Sequence, residues 1–93
     1  MHFTYVLLSQ QDKRMYTGST KDLRIRVREH AEGRVHSTAY RRPLKRIYCE
    51  ACLTADDAFR RERFLKTGKG KRTLRNRLAS FFSGIREKKL ERH

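Results

Sequence analysis

The sequence predicts a small α+β domain in which a three-stranded antiparallel sheet is flanked by helices, in the order β-β-α-β-α-α. Three short segments rich in aromatic, β-branched and apolar residues carry the strand signal, and capped segments with periodic apolar residues carry the helix signal. A chain of 93 residues has room for one core. We therefore expect one domain over residues 1–83 and a basic tail over residues 84–93.

Residues 1–18 are predicted to form a β-hairpin. Residues 3–9 contain aromatic, β-branched and apolar side chains without a breaker, which is typical of a strand. A polar turn then leads to a short second strand over residues 14–18. Tyr5 and Tyr16 lie on this hairpin, and each taken alone is explained by packing on a half-buried sheet.

Residues 21–32 are predicted to form the first helix. Ser19 or Thr20 can cap its N-terminus, and Asp22 suits its first turn. Gly33 is a typical terminator, because glycine adopts the left-handed conformation that ends many helices. A polar loop then leads to the only proline of the chain.

The first helix carries two polar residues beside its apolar stripe, which consists of Leu23 and Val27. Arg26 and His30 are four residues apart and therefore share one edge of that stripe. Taken alone, Arg26 is explained as a solvated charge and His30 as a histidine at the edge of the core. His36, in the loop that follows, is expected either to reach a phosphate or to be exposed.

Residues 45–51 are predicted to form the third strand, near whose end lie the two cysteines. Cys49 and Cys52 lack the second pair of ligands that a structural zinc site needs, so we expect both to be buried free thiols. Reduced cysteines favour a cytoplasmic location. The sequence shows no recognisable export signal or membrane span, which favours the same location.

The next helix, predicted over residues 54–65 with Thr54 as its N-cap, carries a carboxylate on its apolar side. At about 100° per residue, Glu62 falls in the middle of the apolar face. A carboxylate directed at a core costs several kcal/mol unless a cation meets it. That cation is either an arginine or a metal ion. The apolar face consists of Ala55, Ala58, Phe59 and Leu65.

The C-terminal part of the chain is predicted to contain a break over residues 67–70 and a last helix over residues 71–83. The tail that follows either is disordered or continues this helix. A basic cluster on this part of the chain is interpreted either as a solvated helix face or as a nucleic-acid contact, and consists of Lys69, Lys71, Arg72, Arg75 and Arg77.

The charge of the chain predicts a polyanionic partner. Its formal net charge is +14, from 24 Lys and Arg against 10 Asp and Glu. Self-repulsion on this scale destabilises a small fold, and a nucleic acid is the simplest partner that would offset it. An anionic membrane is disfavoured, because no amphipathic lipid-anchoring segment is present. We expect binding to weaken steeply with salt.

Five polar residues together supply the groups that phosphodiester hydrolysis requires. An oriented guanidinium can bind the nonbridging oxygens of a phosphate, and a carboxylate can hold Mg²⁺. Phenol and imidazole groups can order a water molecule and transfer its proton. The residues concerned are Tyr5, Tyr16, Arg26, His30 and Glu62.

In order and spacing these residues resemble the GIY-YIG nuclease family, named for two strand motifs. Phe3-Thr4-Tyr5 stands for the first motif and Tyr16-Thr17-Gly18 for the second, so that the tyrosines and one glycine are kept. The segment 16–30 resembles the family's strand-to-helix region almost throughout. The resemblance covers residues 2–82. Over this range the chain is similar to the small stand-alone bacterial members of the family and to the N-terminal nuclease domain found in a DNA-repair excinuclease.

The resemblance implies a DNA endonuclease that depends on Mg²⁺ or Mn²⁺, leaves 5′-phosphate and 3′-hydroxyl ends, and acts in DNA repair or processing. It implies Glu62 as the single metal ligand and Arg26 as the group that stabilises the pentavalent phosphorane. One of the tyrosines, Tyr5 or Tyr16, would position or deprotonate the attacking water, and His30 would hydrogen-bond to that tyrosine. We expect Arg26 and the metal ion to lower the pKa of that tyrosine.

Substrate contacts are expected from a further set of residues. By resemblance, Asn76 corresponds to a characteristic asparagine in the family's last helix. DNA would be recognised by its structure or without specificity, and a protein partner would supply targeting. The alternative is a non-catalytic nucleic-acid-binding module, in which Glu62 pairs with an arginine. The other expected substrate-binding residues are Gly18, His36, Lys69, Lys71, Arg72 and Arg75.

Overall fold

The computed structural model describes the backbone of residues 1–91 and the side chains of residues 1–85. It confirms the predicted α+β class. Its strands are β1 (His2–Ser9), β2 (Met15–Thr20) and β3 (Leu44–Cys52). The helices within the described residues are α1 (Leu23–Ala31), α2 (His36–Ala39), α3 (Ala55–Lys66), α4 (Gly68–Arg77) and α5 (Ala79–Glu91).

The three strands form one antiparallel sheet in the order β2-β1-β3. The central strand β1 is buried from Thr4 to Ser9, which explains the uninterrupted apolar run within it. The buried polar groups at the ends of this stretch are satisfied. The Thr4 hydroxyl donates to the Ala58 carbonyl at 2.8 Å, and the Ser9 hydroxyl donates to the Arg41 carbonyl at 2.7 Å.

The chain divides into two compact units, Met1–Arg63 and Phe64–His93. The first contains the sheet, α1, α2 and most of α3. The second contains α4 and α5, and its Leu74 is buried. Within the second unit a side chain at Gly70 would collide with the backbone of Phe64, so glycine allows this close approach.

The first helix begins later than predicted. β2 continues to Thr20, so Ser19 and Thr20 are strand residues and neither caps the helix. Asp22 is the N-cap instead, and its carboxylate accepts from the Ile25 amide at 3.1 Å. Gly33 has φ +79°, and its predicted role as terminator is confirmed.

Two other helix predictions are corrected. The predicted polar loop contains the short helix α2, and the predicted last helix is two helices separated at Leu78. The predicted break over residues 67–70 shrinks to Thr67. The Thr67 hydroxyl accepts from the Gly70 amide at 3.0 Å, which starts α4 at once.

Burial differs from prediction at two places. Phe59 is 53% exposed, because only part of the predicted apolar face of α3 is covered. Cys49 and Cys52 are free, but Cys49 is exposed and Cys52 half-buried, because β3 is an edge strand. No helix within residues 1–91 has both the length and the apolar character needed to cross a membrane.

Candidate active site

The hairpin places the Tyr5 phenol against Gly18. Tyr5 and Gly18 are cross-strand partners, and only 1% of Tyr5 is exposed. A Cβ atom at position 18 would lie 2.6 Å from the Tyr5 Oη and 2.7 Å from Cζ. Glycine is therefore required here because the ring covers its backbone. The contact with substrate expected for Gly18 stays a prediction.

Tyr5 begins a buried chain of hydrogen bonds. Its Oη lies 2.8 Å from Nε2 of His30, whose Nδ1 lies 2.7 Å from Oγ1 of Thr38. Thr38 donates to the Val35 carbonyl at 3.4 Å. One assignment satisfies every group: Tyr5 donates to Nε2 of a neutral imidazole, and Nδ1–H donates to Thr38. His30 therefore bonds to Tyr5, and its expected bond to the tyrosine that acts on the water stays a prediction.

Burial controls the ionisation of this pair. It raises the pKa of Tyr5 to about 12; the Arg26 guanidinium opposes this shift, whereas Tyr16 and Glu62 add to it. The expected lowering by Arg26 is real but is outweighed, because a buried phenolate loses its hydration. Burial, followed by the charge of Arg26, lowers the pKa of His30 to about 4. At neutral pH the phenol keeps its proton and the imidazole is uncharged.

Tyr16 and His30 complete a cluster of three rings. The Tyr16 and His30 ring centroids are 5.0 Å apart, and those of Tyr5 and Tyr16 are 6.4 Å apart. Tyr16 is half-buried, whereas Tyr5 and His30 are almost fully buried. Tyr16 is therefore the more accessible of the two phenols.

Arg26 lies at the open side of this cluster. The neighbouring Tyr5 phenol raises the pKa of Arg26. The guanidinium also makes a long, 3.4 Å contact with Glu29, and 36% of the side chain is exposed. Arg26 and His30 therefore share an edge of α1 as predicted. A guanidinium held on one side and open on the other can bind an anion.

Glu62 reaches the hairpin from α3. The Ser19 hydroxyl donates to its Oε1 at 2.6 Å. Glu62 is half-buried and turned towards the hairpin, the side that its place on the apolar face predicts; its carboxylate meets a strand hydroxyl at the edge of the sheet. The neighbouring Arg61 binds the carboxylate of Glu50, with Nε 2.6 Å from Oε1.

A cross-strand pair aligns α3 with the hairpin. Thr4 and Ser19 are directly opposite each other on β1 and β2. Thr4 binds the carbonyl of Ala58, and Ser19 binds the side chain of Glu62 one helical turn later. The pair therefore sets both the position of α3 and the direction of the Glu62 carboxylate.

The available ligands at Glu62 fit a hard divalent cation. Mg²⁺ is usually bound through one or two carboxylates with several waters, and Mn²⁺ suits the same oxygen ligands. The Glu62 carboxylate and the Ser19 hydroxyl supply such oxygens at a half-exposed position. Within the described part of the chain, no three His, Cys, Asp or Glu residues form a cluster that could hold a metal ion.

The remaining predicted residues lie outside this cluster or in the second unit. His36 is the first residue of α2 and is exposed, which is one of its two expected states. Substrate contact by the second-unit residues, all exposed on α4, stays a prediction. They are Lys69, Lys71, Arg72, Arg75, Arg77 and Asn76.

Sequence reasoning missed several residues that hold the site together. The local sequence pattern predicts Ser19 only as a possible helix cap and places Thr38 in a loop. The period-two pattern that places Tyr5 and Tyr16 on the hairpin could have extended β2 to Ser19. Thr4 carries no local signal, because its partner Ala58 is 54 residues away. Thr38 is near His30 in sequence, but their contact depends on the short helix α2, which was not predicted.

Comparisons with known proteins find a family model, relatives and a solved structure that are similar to this chain. A family model described as the GIY-YIG catalytic domain matches residues 1–74. A UPF0213 protein of Staphylococcus aureus is 36% identical over 75 residues, which is 80% of this chain and 90% of that protein. A UPF0213 protein of Staphylococcus epidermidis is 37% identical over 67 residues, covering 71% and 80%.

A solved structure is also similar. The solution NMR structure of the UPF0213 protein BH0048 from Bacillus halodurans has a TM-score of 0.50 and 30% sequence identity to this chain. The similarity covers 78% of this chain and 80% of that one. The similarity in fold therefore accompanies the similarity in sequence.

Proposed function

The chain belongs to the GIY-YIG family of nucleases, and from that membership and its site geometry we propose that it is a metal-dependent DNA endonuclease. It hydrolyses phosphodiester bonds and leaves 5′-phosphate and 3′-hydroxyl ends. Its biological role lies in DNA repair or processing, with targeting supplied by DNA structure or by a protein partner.

The observation that carries this proposal is the set of groups around the Tyr5 phenol. The phenol hydrogen-bonds to His30, and its ionisation is influenced by Tyr16, Arg26 and Glu62. A cation, a carboxylate and a second phenol thus lie within electrostatic range of the Tyr5 phenol in the first unit. This combination suits phosphodiester hydrolysis, whereas a surface that only binds DNA needs the cations alone.

Each residue has a role that follows from its surroundings. Arg26 binds nonbridging phosphate oxygens and stabilises the charge that develops on them. Tyr16 orders the attacking water and, once its own phenol proton has passed to solvent, takes up the proton that the water loses. Tyr5 is the poorer base because burial holds its proton, so Tyr5 and His30 instead support the Tyr16 ring.

Glu62 would hold the divalent cation, with Ser19 fixing the direction of the carboxylate. When bound, Mg²⁺ or Mn²⁺ supplies positive charge to the phosphate and acidifies a coordinated water. The single carboxylate favours one metal ion over a two-metal arrangement.

A cleavage screen tests the proposal. The purified protein is incubated with branched, nicked, single-stranded and plasmid DNA, in Mg²⁺ and separately in EDTA. We expect cleavage of at least one substrate in Mg²⁺ and none in EDTA. Radiolabelling of the new ends by polynucleotide kinase should require prior phosphatase treatment, since the 5′ ends carry phosphate. Cleavage that persists in EDTA would refute metal dependence.

A non-catalytic nucleic-acid-binding module is the second candidate, favoured by the net charge of +14. In that case DNA binding would be unaffected by divalent cations, and no substrate of the screen would be cut. A Mn²⁺ titration of the protein–DNA complex distinguishes the nuclease from the binding module, because only the nuclease requires a cation site. Glu62→Ala should remove that site.

A further inference from the structure

A small cavity lies beside the candidate active site, between the hairpin and α3. Its volume is about 230 Å³. Ala55 and Ala58 supply apolar walls from α3, and β2 supplies polar ones. The residues that line it include His2, Ser19, Lys21, Ala55, Ala58 and Phe59.

The most unusual wall of the cavity is Phe59, a large apolar side chain that is 53% exposed. Exposed aromatic rings on basic proteins serve as stacking surfaces for nucleobases. Lys21, also exposed at the cavity, supplies a cation for the phosphate that accompanies such a base. An apolar cavity with one ring and one flanking cation matches the chemistry of a nucleotide.

The cavity is connected to the active site through one side chain. Ser19 lines the cavity and also donates its hydroxyl to Oε1 of Glu62 at 2.6 Å. Only the Ser19 side chain therefore separates a group held in the cavity from the Glu62 carboxylate, to which we assign the metal ion. This places the cavity next to the phosphate that would be cut.

We propose that this cavity binds an unpaired nucleobase adjoining the phosphate to be cleaved. The inference rests on the proposed endonuclease function and names its substrate class: DNA with an unpaired nucleotide, such as a bulge or flap. A base inside an uninterrupted duplex is stacked on both faces, so only an unpaired or extruded base can offer a face to Phe59.

The test measures DNA binding in EDTA, so that it does not depend on cleavage. The probes are two fluorescently labelled short duplexes with the same one-nucleotide bulge, one carrying adenine and the other an abasic tetrahydrofuran. We expect wild type to bind the adenine bulge about fivefold more tightly, since stacking on one half-exposed ring lies at the low end of measured values. Phe59→Ala and the cavity-filling Ala55→Leu should remove this preference.

Two variants serve as controls. Phe59→Trp keeps a ring at the cavity and should retain the preference. Tyr40→Ala removes another exposed aromatic residue, 82% exposed and outside the cavity, and should also retain it. Circular dichroism and thermal unfolding verify that each variant is folded.

Equal binding of the two probes by wild type overturns the proposal, and so does a preference that survives in folded Phe59→Ala. Loss of the preference in Phe59→Ala and Ala55→Leu, with retention in Tyr40→Ala, supports it. If the preference is present but Mg²⁺ produces no cleavage of any substrate, the cavity assignment stands and the endonuclease proposal fails.

Discussion

The candidate active site has a buried half and an open half, and they are constructed differently. In the buried half, Tyr5, His30 and Thr38 form a closed chain of hydrogen bonds. In the open half, Arg26 and Glu62 are half-buried; Glu62 accepts from Ser19 of the hairpin, and Arg26 contacts Glu29 of its own helix. The buried half thus serves position and stability, whereas the open half is available to substrate. Variants in the buried half should therefore lose mainly stability, and variants in the open half should lose mainly cleavage rate.

The largest effect is expected in the open half. Arg26→Ala should reduce the single-turnover cleavage rate by about 10²–10³, the scale of one preorganised charge stabiliser. Because the side chain is 36% exposed and its ion pair with Glu29 is long, unfolding free energy should change little. Arg28→Ala, an exposed arginine of the same helix, is the control. A large stability loss with an unchanged rate would reverse the roles of the two halves.

The buried half predicts a dependence of stability on pH. The pKa of His30 is about 4 in the folded protein, against 6.5 for the free side chain, so the unfolded state binds the extra proton first. Unfolding free energy should therefore be highest above about pH 6.5 and fall by roughly 3 kcal/mol as the pH drops to about 4. Urea unfolding at a series of pH values measures this.

Two comparisons isolate the contribution of His30. His30→Gln should flatten the curve between about pH 4 and 6.5, whereas His36→Gln, at an exposed histidine, should leave it unchanged. Asp12 contributes to the pH dependence of stability at lower pH than His30 does. The Arg41 guanidinium lowers the pKa of Asp12 to about 2, so its contribution is lost only as the pH falls towards that value. If the unfolding free energy of folded His30→Gln depends on pH as it does in wild type, the assignment of that dependence to His30 is contradicted.

A smaller effect is expected at Gly18. Gly18→Ala places a methyl group 2.6 Å from the Tyr5 Oη, so the buried ring must shift. Overpacking of this kind costs about 1–3 kcal/mol, or roughly 4–8 °C in Tm for each kcal/mol. Gly68→Ala, where nothing lies within 4 Å, is the matched control. In a Tyr5→Ala background the cost should disappear, and an additive double variant would contradict the contact.

The smallest effect is expected at Thr4. Thr4→Val keeps the shape of the side chain but removes the 2.8 Å hydrogen bond to the Ala58 carbonyl. The net loss should be about 1 kcal/mol in thermal or urea unfolding. Thr17→Val, at a second buried threonine of the hairpin, provides the comparison. If the two variants are equally stable, the Thr4 bond does not anchor α3.

The parts of the fold with local signals could be predicted from the sequence. The strands follow from their composition, and the edge shared by Arg26 and His30 follows from helical periodicity alone. The contact of Ser19 with Glu62 could not be predicted, because it depends on how α3 is aligned with a strand 43 residues away. The raised pKa of Tyr5 could not be predicted either, because burial, which outweighs Arg26, is a property of the tertiary structure.

The buried Thr38 is a second instance. Its hydroxyl orients His30 only because α2 forms within the segment predicted as a loop. Helices this short depend on tertiary packing more than on intrinsic propensity, so the sequence gives little sign of them.

The most direct test of Glu62 as the metal-binding carboxylate is the cleavage rate of Glu62→Gln in Mg²⁺, measured under single-turnover conditions on the substrate that wild type cuts best. The variant keeps the shape of the side chain and an oxygen to accept from Ser19 but removes the charge. Glu32→Gln, at an exposed glutamate, is the control. We expect a loss of about 10²–10³ for Glu62→Gln alone. A rate equal to wild type would contradict it.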